Sequence, residues 1–328
     1  MPDQKKFSDL LPGEKAFHFC VISKLEVKST KTGKSYLNLE LRDSSAFLPA
    51  KMWDGFENVL ASLSPGTIVK VSGKIDEYLG QKQIIIDKLR LTEPGDKVTS
   101  DDFMQKSLRD PEVMISELND VISSIKNIHI KKLLDTVLSD NAFEKYIRVP
   151  AGKSWHHSYL HGLLEHTLEI IKICELMCEF HKSVNRDLLL AGAILHDFGK
   201  TEELSYENNF DYTDKGKLIG HIVIAASFIE RTIENIKDFP EDLKNQLIHL
   251  ILSHQGKLEY ASPVEPKTLE AIILYHADEL SAKTNAYKNA IEIDEKTGNR
   301  WTRFLPLANT SLYIPDKDKE ETKTTLFD

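Results

Sequence analysis

The apolar residues of this chain change their repeat once, and that change limits the folds open to it. Up to Glu93 they alternate. The stretch "FHFCVISKLEVKST" meets the turn "KTGK", and "SYLNLELRDSSAFLPAKMW" follows with Leu37, Leu39 and Leu41 in step. "GTIVKVSGKIDEYLGQKQIIIDKLRLTE" completes the run, broken by Gly73 and Gly80. A repeat of two puts successive side chains on opposite faces of a strand. Short strands separated by Gly and polar turns predict a small barrel. "FENVLASLSP" predicts a helical insert between the third and fourth strands. From Phe103 the apolar spacing becomes three and four, as in "PEVMISELNDVISSIKNIHIKKLLDTVLSD", and helices are expected from there to about Asn289.

The expected fold class is therefore α+β and multidomain: a β-barrel over 1–95, a linker and helical connector over 96–150, an all-α bundle over 151–310, and a polar tail over 311–328. "EPGDKVTSDD" marks the linker by its Pro, Gly and charge. The order of strands, one helix and then strands resembles an oligonucleotide-binding (OB) fold. No apolar run reaches the roughly 20 residues a bilayer requires, and "MPDQKKFSDLLPGEK" has no signal-peptide core. A cytoplasmic protein with no membrane contact is expected. Three cysteines, Cys20, Cys174 and Cys178, are too few and too scattered for a disulfide framework. Cys174 and Cys178, four apart without a second pair, read as free thiols rather than a structural zinc site.

The net charge of −9 is uneven. Residues 1–95 carry 14 basic against 12 acidic side chains, and the remainder carries 28 against 39. An acidic domain can hold divalent ions, which reverse the local sign, so the overall charge does not exclude a phosphate substrate.

Ten of the twelve histidines lie between 156 and 276. His166 sits inside the apolar helix "GLLEHTLEI". His196 and Asp197 close the hydrophobic run Leu188–Leu195, and "HDFGK" adds Lys200. His221 opens "GHIVIAASFIE", His254 ends "QLIHLILSHQGK", and Asp278 lies in "LEAIILYHADELSAK". A polar group on a hydrophobic helix is costly to bury unless it is paired or metal-bound. Any one of these residues could be a satisfied core histidine. Five helices that each offer one can instead converge on a metal centre inside a bundle. Imidazole and carboxylate without thiolate suit Mn, Fe, Zn or Mg.

The pattern H…HD…H…H…D across helices resembles the HD-domain metal-dependent phosphohydrolase superfamily. His166, His196, Asp197 and Asp278 match its four-residue core. His221 and His254 match the extra ligands of members with two metals, and Lys200 matches a lysine near the phosphate. With the barrel in front and "PAGKSWHHSYLHGLLEHT" at the junction, the chain is similar to the YhaM-type 3′–5′ exoribonucleases. Two positions depart from that pattern: Gln255 follows His254, where a second His is expected, and His161 replaces a small residue.

The resemblance implies an enzyme that hydrolyses phosphodiester bonds of single-stranded RNA, and as a second substrate single-stranded DNA, from the 3′ end. It implies two divalent ions, Mn²⁺ first, with Fe, Mg, Zn or Co allowed. His166, His196, Asp197 and Asp278 would hold the first, and Asp197, His221 and His254 the second. Asp197 and Lys200 are the expected catalytic pair, with Lys200 as a point charge by the phosphate; the alternative for Lys200 is a charge balancing a helix C-terminus. Lys153, His157, Tyr159 and His161 are expected at the cleft rim, with His157 and His161 on one face if a helix starts there. The alternative makes that stretch a helix start capped by Ser154. In the barrel, Tyr36 and Trp53 are the preferred stacking platforms among Phe19, Tyr36, Phe47, Trp53 and Tyr78. Lys24, Lys28, Lys31, Lys34 and Lys51 could track the backbone. A homo-oligomer is an allowed form.

Two other functions fit parts of the sequence. A nucleotide or cyclic-dinucleotide phosphohydrolase needs the bundle but no strand-holding barrel, and a "GYP" signature is absent. A non-catalytic binder of single-stranded or replication-element DNA needs the barrel but no converging histidines.

Overall fold

The computed structural model describes residues 4–78, 80–206, 210–295 and 298–315. Five strands, β1 (Lys15–Ser29), β2 (Ser35–Arg42), β3 (Phe47–Met52), β4 (Ile68–Tyr78) and β5 (Gln81–Leu91), close into a barrel in the order β1-β2-β3-β5-β4. Neighbours are antiparallel except β3 and β5. The alternation read from the sequence is the inside–outside alternation of the strands. Leu37, Leu39 and Leu41 are buried, with Ala50, Met52, Val69, Val71, Ile75 and Ile84 opposite them. β1 is long enough to pair with β4 through its first half and β2 through its second. A bulge between Ile22 and Lys24 bends it from one partner to the other. The expected insert is α1 (Glu57–Leu60), beside the buried Phe56 and Leu63.

The linker is tied on both sides. Arg90 at the end of β5 donates to both Asp96 oxygens, at 2.7 and 2.8 Å. Arg148 donates to both oxygens of Asp101, at 2.8 and 2.9 Å.

Ten α-helices follow among the described residues: α2 (Pro111–Ser124), α3 (Ile128–Val137), α4 (Asp140–Arg148), α5 (Gly162–Phe180), α6 (Arg186–Leu195), α7 (Lys200–Glu203), α8 (Asp214–Ile219), α9 (His221–Glu234), α10 (Glu241–Ser253) and α11 (Leu269–Glu295). Asp110, Asn127 and Asn185 accept the first free N–H groups of α2, α3 and α6 and so fix where those helices begin. Met114 and Leu118 of α2, Leu133 and Leu134 of α3 and Tyr146 of α4 share one buried cluster with Leu164, Leu189, Ile194, Leu250 and Leu274. The expected connector is therefore helical and packs into the bundle's own core.

The bundle is not wholly helical. Leu204–Ser205 (β6) pairs with Asp211–Tyr212 (β7) in a two-stranded ribbon. Its flanking residues Tyr206 and Phe210 pack with Met104 and Leu160. Of the expected polar tail, 316–328 lies outside the described residues. Among the described residues no helix is long and apolar enough to cross a membrane. All three cysteines are free, with Cys20 and Cys174 buried.

Candidate metal centre

α6 is buried along all eight residues from Leu188 to Leu195. A helix this apolar can only run through the middle of the bundle, so whatever ends it is delivered to the interior. His196 is its C-cap and Asp197 follows, both buried. Tyr146 of α4 secures this end: its hydroxyl donates to the Ile194 carbonyl at 2.9 Å and lies 3.0 Å from Thr167 Oγ1. α10 repeats the device, ending in the buried C-cap His254.

Asp197 is the hub. Its Oδ1 lies 3.4 Å from His221 Nε2 and 3.6 Å from His254 Nε2. Its Oδ2 lies 3.2 Å from His196 Nε2, 3.9 Å from His166 Nε2 and 2.5 Å from Lys200 Nζ. Asp278 of α11 completes the group, with Oδ1 3.0 Å from His166 Nε2. The six expected ligands and Lys200 thus come together around one point.

The other ring nitrogen of each histidine shows what the set is built for. His196 Nδ1 meets the Ala193 carbonyl at 2.8 Å, and His254 Nδ1 meets the Ile251 carbonyl at 2.7 Å. His221 Nδ1 meets Glu203 Oε1 at 3.0 Å. His166 Nδ1 lies 2.9 Å from Ser281 Oγ, whose own proton goes to Glu169 Oε2 at 2.6 Å. Carbonyls and carboxylates only accept, and the Ser281 proton is already committed. In every ring Nδ1 therefore carries the hydrogen, and Nε2 presents a lone pair to the centre.

Nε2 of His166, His196 and His221 and Oδ1 of Asp197 are buried without a hydrogen bond. Each such atom costs about 1–3 kcal/mol in a core, so several aimed at one point are unreasonable as packing and fit a divalent ion held by nitrogen and oxygen.

Burial would raise the Asp197 pKa, but Lys200 and His196 hold it well below the usual carboxylate range. Burial, then the neighbouring His157 and His196, pushes His166 well down. At His196 burial works against protonation, and the Asp197 carboxylate outweighs it and raises the pKa. His254, buried beside His196, falls to about 4 from an ordinary 6.5.

An unfolded chain therefore binds protons near pH 6.5 that the folded His254 refuses until about pH 4. Its contribution to stability is whole above pH 6.5 and is lost as the pH falls towards 4, about 2 kcal/mol by pH 5. His156 and His166 shift in the same direction, and His196 offsets part of the loss. The Tm of chelator-treated protein is expected to drop between pH 7.5 and pH 5; a flat Tm over that range would contradict these assignments.

Two close approaches position the ligands. A Cβ on Gly199 would stand 2.0 Å from the His221 carbonyl oxygen, so only glycine lets the turn after Asp197 press against the start of α9. A Cβ on Gly162 would stand 2.0 Å from the His157 carbonyl oxygen. Glu203 holds His221 from the other side: its Oε1 accepts the His221 backbone N–H at 2.9 Å as well as Nδ1–H. Outer partners of this kind tune ligand orientation and basicity. Glu203→Gln is expected to weaken ion binding by about 10-fold or more while the fold persists, as read by Mn²⁺ titration and circular dichroism; unchanged affinity would leave Glu203 only a helix cap.

Several expectations for "KSWHHSYLHG" need correction. The helix starts at Gly162, so Ser154 caps nothing. His157 and His161 share no helical face, because both have left-handed backbones, at φ 43 and 67. His157 is fully buried against the centre rather than on a rim. Its ring centroid is 5.1 Å from that of His166, and the His156 ring is closer still at 4.8 Å. His161 turns away and meets the Ile147 carbonyl at 2.6 Å. Lys153 is exposed and donates to Asp211 at 2.7 Å, and the Tyr159 hydroxyl accepts from Asn285 Nδ2 at 3.3 Å. Lys200 opens α7 rather than closing a helix, which removes the dipole alternative. Gln255, the departure beside His254, places its amide 3.3 Å from His254 Nε2. Glu169, Glu203, Ser281 and Tyr146 are parts of the site that carry no signal in the sequence; His156 does, through the "HH" pair.

On the barrel, the Tyr36 and Trp53 rings pair at 4.6 Å, with Trp53 37% exposed. Phe47 and Tyr78 are also exposed, at 52% and 60%. Lys51 lies 5.1 Å over Tyr78 and Lys70 4.5 Å over Phe19. Lys24, Lys28 and Lys34 are paired with Glu40, Glu26 and Asp54.

A comparison with protein families matches residues 163–283 to the HD domain and residues 23–92 to an OB-fold nucleic acid binding domain. Every ligand of the centre falls in the first range, and most of the barrel in the second. The chain is 34% identical to the 3′-5′ exoribonuclease YhaM of Geobacillus sp. (strain WCH70), over 92% of this chain and 93% of that protein. It is 33% identical to the protein of that name from Bacillus subtilis (strain 168), over 92% and 96%, and 34% identical to that of Listeria monocytogenes serotype 4b (strain F2365), over 95% and 99%. Identity of a third along more than nine-tenths of each partner takes in barrel and centre together, and the chain belongs to the YhaM family of 3′-5′ exoribonucleases.

Proposed function

We propose that this protein is a divalent-metal-dependent exonuclease that hydrolyses phosphodiester bonds of single-stranded RNA from the 3′ end and releases nucleoside monophosphates. The convergence of four histidines on Asp197, three of them with buried Nε2 lone pairs that nothing else satisfies, is the observation that carries this reading.

His166, His196, Asp197 and Asp278 would hold one ion, and Asp197, His221 and His254 the second; the nitrogen-and-oxygen set admits several divalent ions, and the family resemblance puts Mn²⁺ first. When bound, such ions supply Lewis acidity toward a phosphate oxygen and lower the pKa of water. The protein's residues do the rest. Asp197 keeps its charge because Lys200 and His196 hold its pKa down, so it can bridge two positions with its two oxygens. Lys200, buried against Asp197, keeps its ammonium protonated and sets a fixed positive charge beside the phosphate. Lys153 and Tyr159 lie on the approach from the loop before α5. The division into residues 1–95, 96–150 and 151–310 assigns strand holding to the first and cleavage to the last, with α2–α4 as structural support.

Tyr36 and Trp53 offer a stacking platform on the barrel. Base stacking contributes about 1–3 kcal/mol per base, so a Tyr36→Ala/Trp53→Ala double variant should bind a 20-nucleotide RNA about 10- to 100-fold more weakly. Fluorescence anisotropy checks this; unchanged affinity would move the binding face elsewhere.

Direction is tested with one RNA labelled at either end. Early release of labelled mononucleotide from the 3′-labelled strand, with stepwise shortening of the 5′-labelled one, is expected. Hydrolysis of free nucleotides without shortening of RNA would overturn the proposal. Parallel single-stranded DNA measures whether the 2′-hydroxyl matters.

A further inference from the structure

We infer that His156 and His157 are metal ligands and that, with His166, they form a third cation position beside the Asp197 centre. This rests on the reading that the centre binds divalent ions. Potential ligand atoms of His156, His157 and His166 all lie within 4.8 Å of one another. The Nδ1 atoms of His156 and His157 are 3.3 Å apart. Two nitrogens bound at about 2.05 Å to one tetrahedral ion are separated by about 3.4 Å, so this pair already has the edge length of a coordination polyhedron.

The backbone is arranged to aim these rings. His157 has a left-handed φ of 43, a conformation that is unfavourable for a side chain of this size. It is held there by three contacts. The His157 N–H donates to Asn285 Oδ1 at 2.9 Å, its carbonyl accepts from the Ala151 N–H at 3.1 Å, and that carbonyl packs against the bare Cα of Gly162. Glu169 Oε2 lies 3.3 Å from His157 Nε2 and also accepts the Ser281 proton. Through Ser281 the same carboxylate reaches His166. One carboxylate thus stands behind two imidazoles, the outer arrangement that orients ligating histidines. His157 is buried and His156 partly exposed.

His166 has a single lone pair, on Nε2, because its Nδ1 hydrogen is given to Ser281. It can serve one ion at a time. With the third position filled, His166 belongs there, and the first ion keeps His196, Asp197 and Asp278.

Counting bound Mn²⁺ by the electron paramagnetic resonance of the free ion, in a titration of the full chain, tests this. Three ions per chain are expected for the wild type and two for His157→Gln. His156→Gln, at a partly exposed position that leaves no gap in the core, should also bind two and guards against misfolding of the first variant. Equal counts in the wild type and both variants would overturn the third position while leaving the Asp197 centre standing. A wild type that binds no Mn²⁺ would overturn both.

Discussion

Replacing Asp197 with Asn is expected to lower nucleotide release from the 3′ end of RNA by about 10³-fold or more and to reduce bound metal. The size follows from the geometry. Asp197 alone faces His221 and His254 with one oxygen and His166, His196 and Lys200 with the other. An amide retains the shape but loses the charge, and it turns one acceptor into a donor aimed at imidazole lone pairs or an ammonium. Lys200 also loses its nearest counter-charge, which costs stability. Cleavage rate and metal content are therefore measured below the variant's own Tm. His254→Gln, which leaves the Lys200 pair intact, should reduce metal content without that cost. Wild-type cleavage by Asp197→Asn would show that the hydrolysis takes place elsewhere.

Gly199→Ala is expected to destabilise the protein by about 3 kcal/mol or more and to abolish metal-dependent cleavage. The added methyl would stand 2.0 Å from the His221 carbonyl oxygen and 2.9 Å from the Ala225 nitrogen. Both neighbours are backbone atoms of α9, so the clash cannot be relieved by a side-chain rotation. Overpacking of a fitted core commonly costs about 1–3 kcal/mol, and a backbone clash belongs at or above the upper end. The displaced element is the one that carries His221. Stability and metal binding should therefore fail together, as read by thermal melting and Mn²⁺ titration. Retained Tm with retained activity would mean that the turn tolerates more space than the packing indicates.

The barrel was legible because the repeat of two at Leu37, Leu39 and Leu41 is also the repeat of its buried face. The first-rank ligands were legible for a different reason. His166, His196, Asp197, His221, His254 and Asp278 are polar groups on hydrophobic helices, an expense that sequence alone exposes. Their supports were not. Glu203 reaches His221 across 18 residues, Tyr146 reaches Ile194 across 48, and Ser281 reaches His166 across 115. Nothing in the local pattern of such residues distinguishes them from ordinary helix-surface groups. His157 and His161 do not share the helical face expected of them, because the segment takes left-handed turns at both. That conformation is set by the clamp of Gly162 and Asn285, which is again a long-range contact. The lysines of the barrel show the opposite limit: their sequence positions suggested a basic track, but Lys24, Lys28 and Lys34 are each next to a carboxylate.

The central claim is that the histidine–aspartate centre cleaves RNA from its 3′ end by means of the divalent ions it holds. The direct test strips the protein with chelator, returns Mn²⁺ in steps, and follows mononucleotide release from 3′-labelled single-stranded RNA in the same samples. The account predicts no release from the stripped protein and a rise in rate that tracks occupancy of the centre. Full release from protein shown to be metal-free would contradict it.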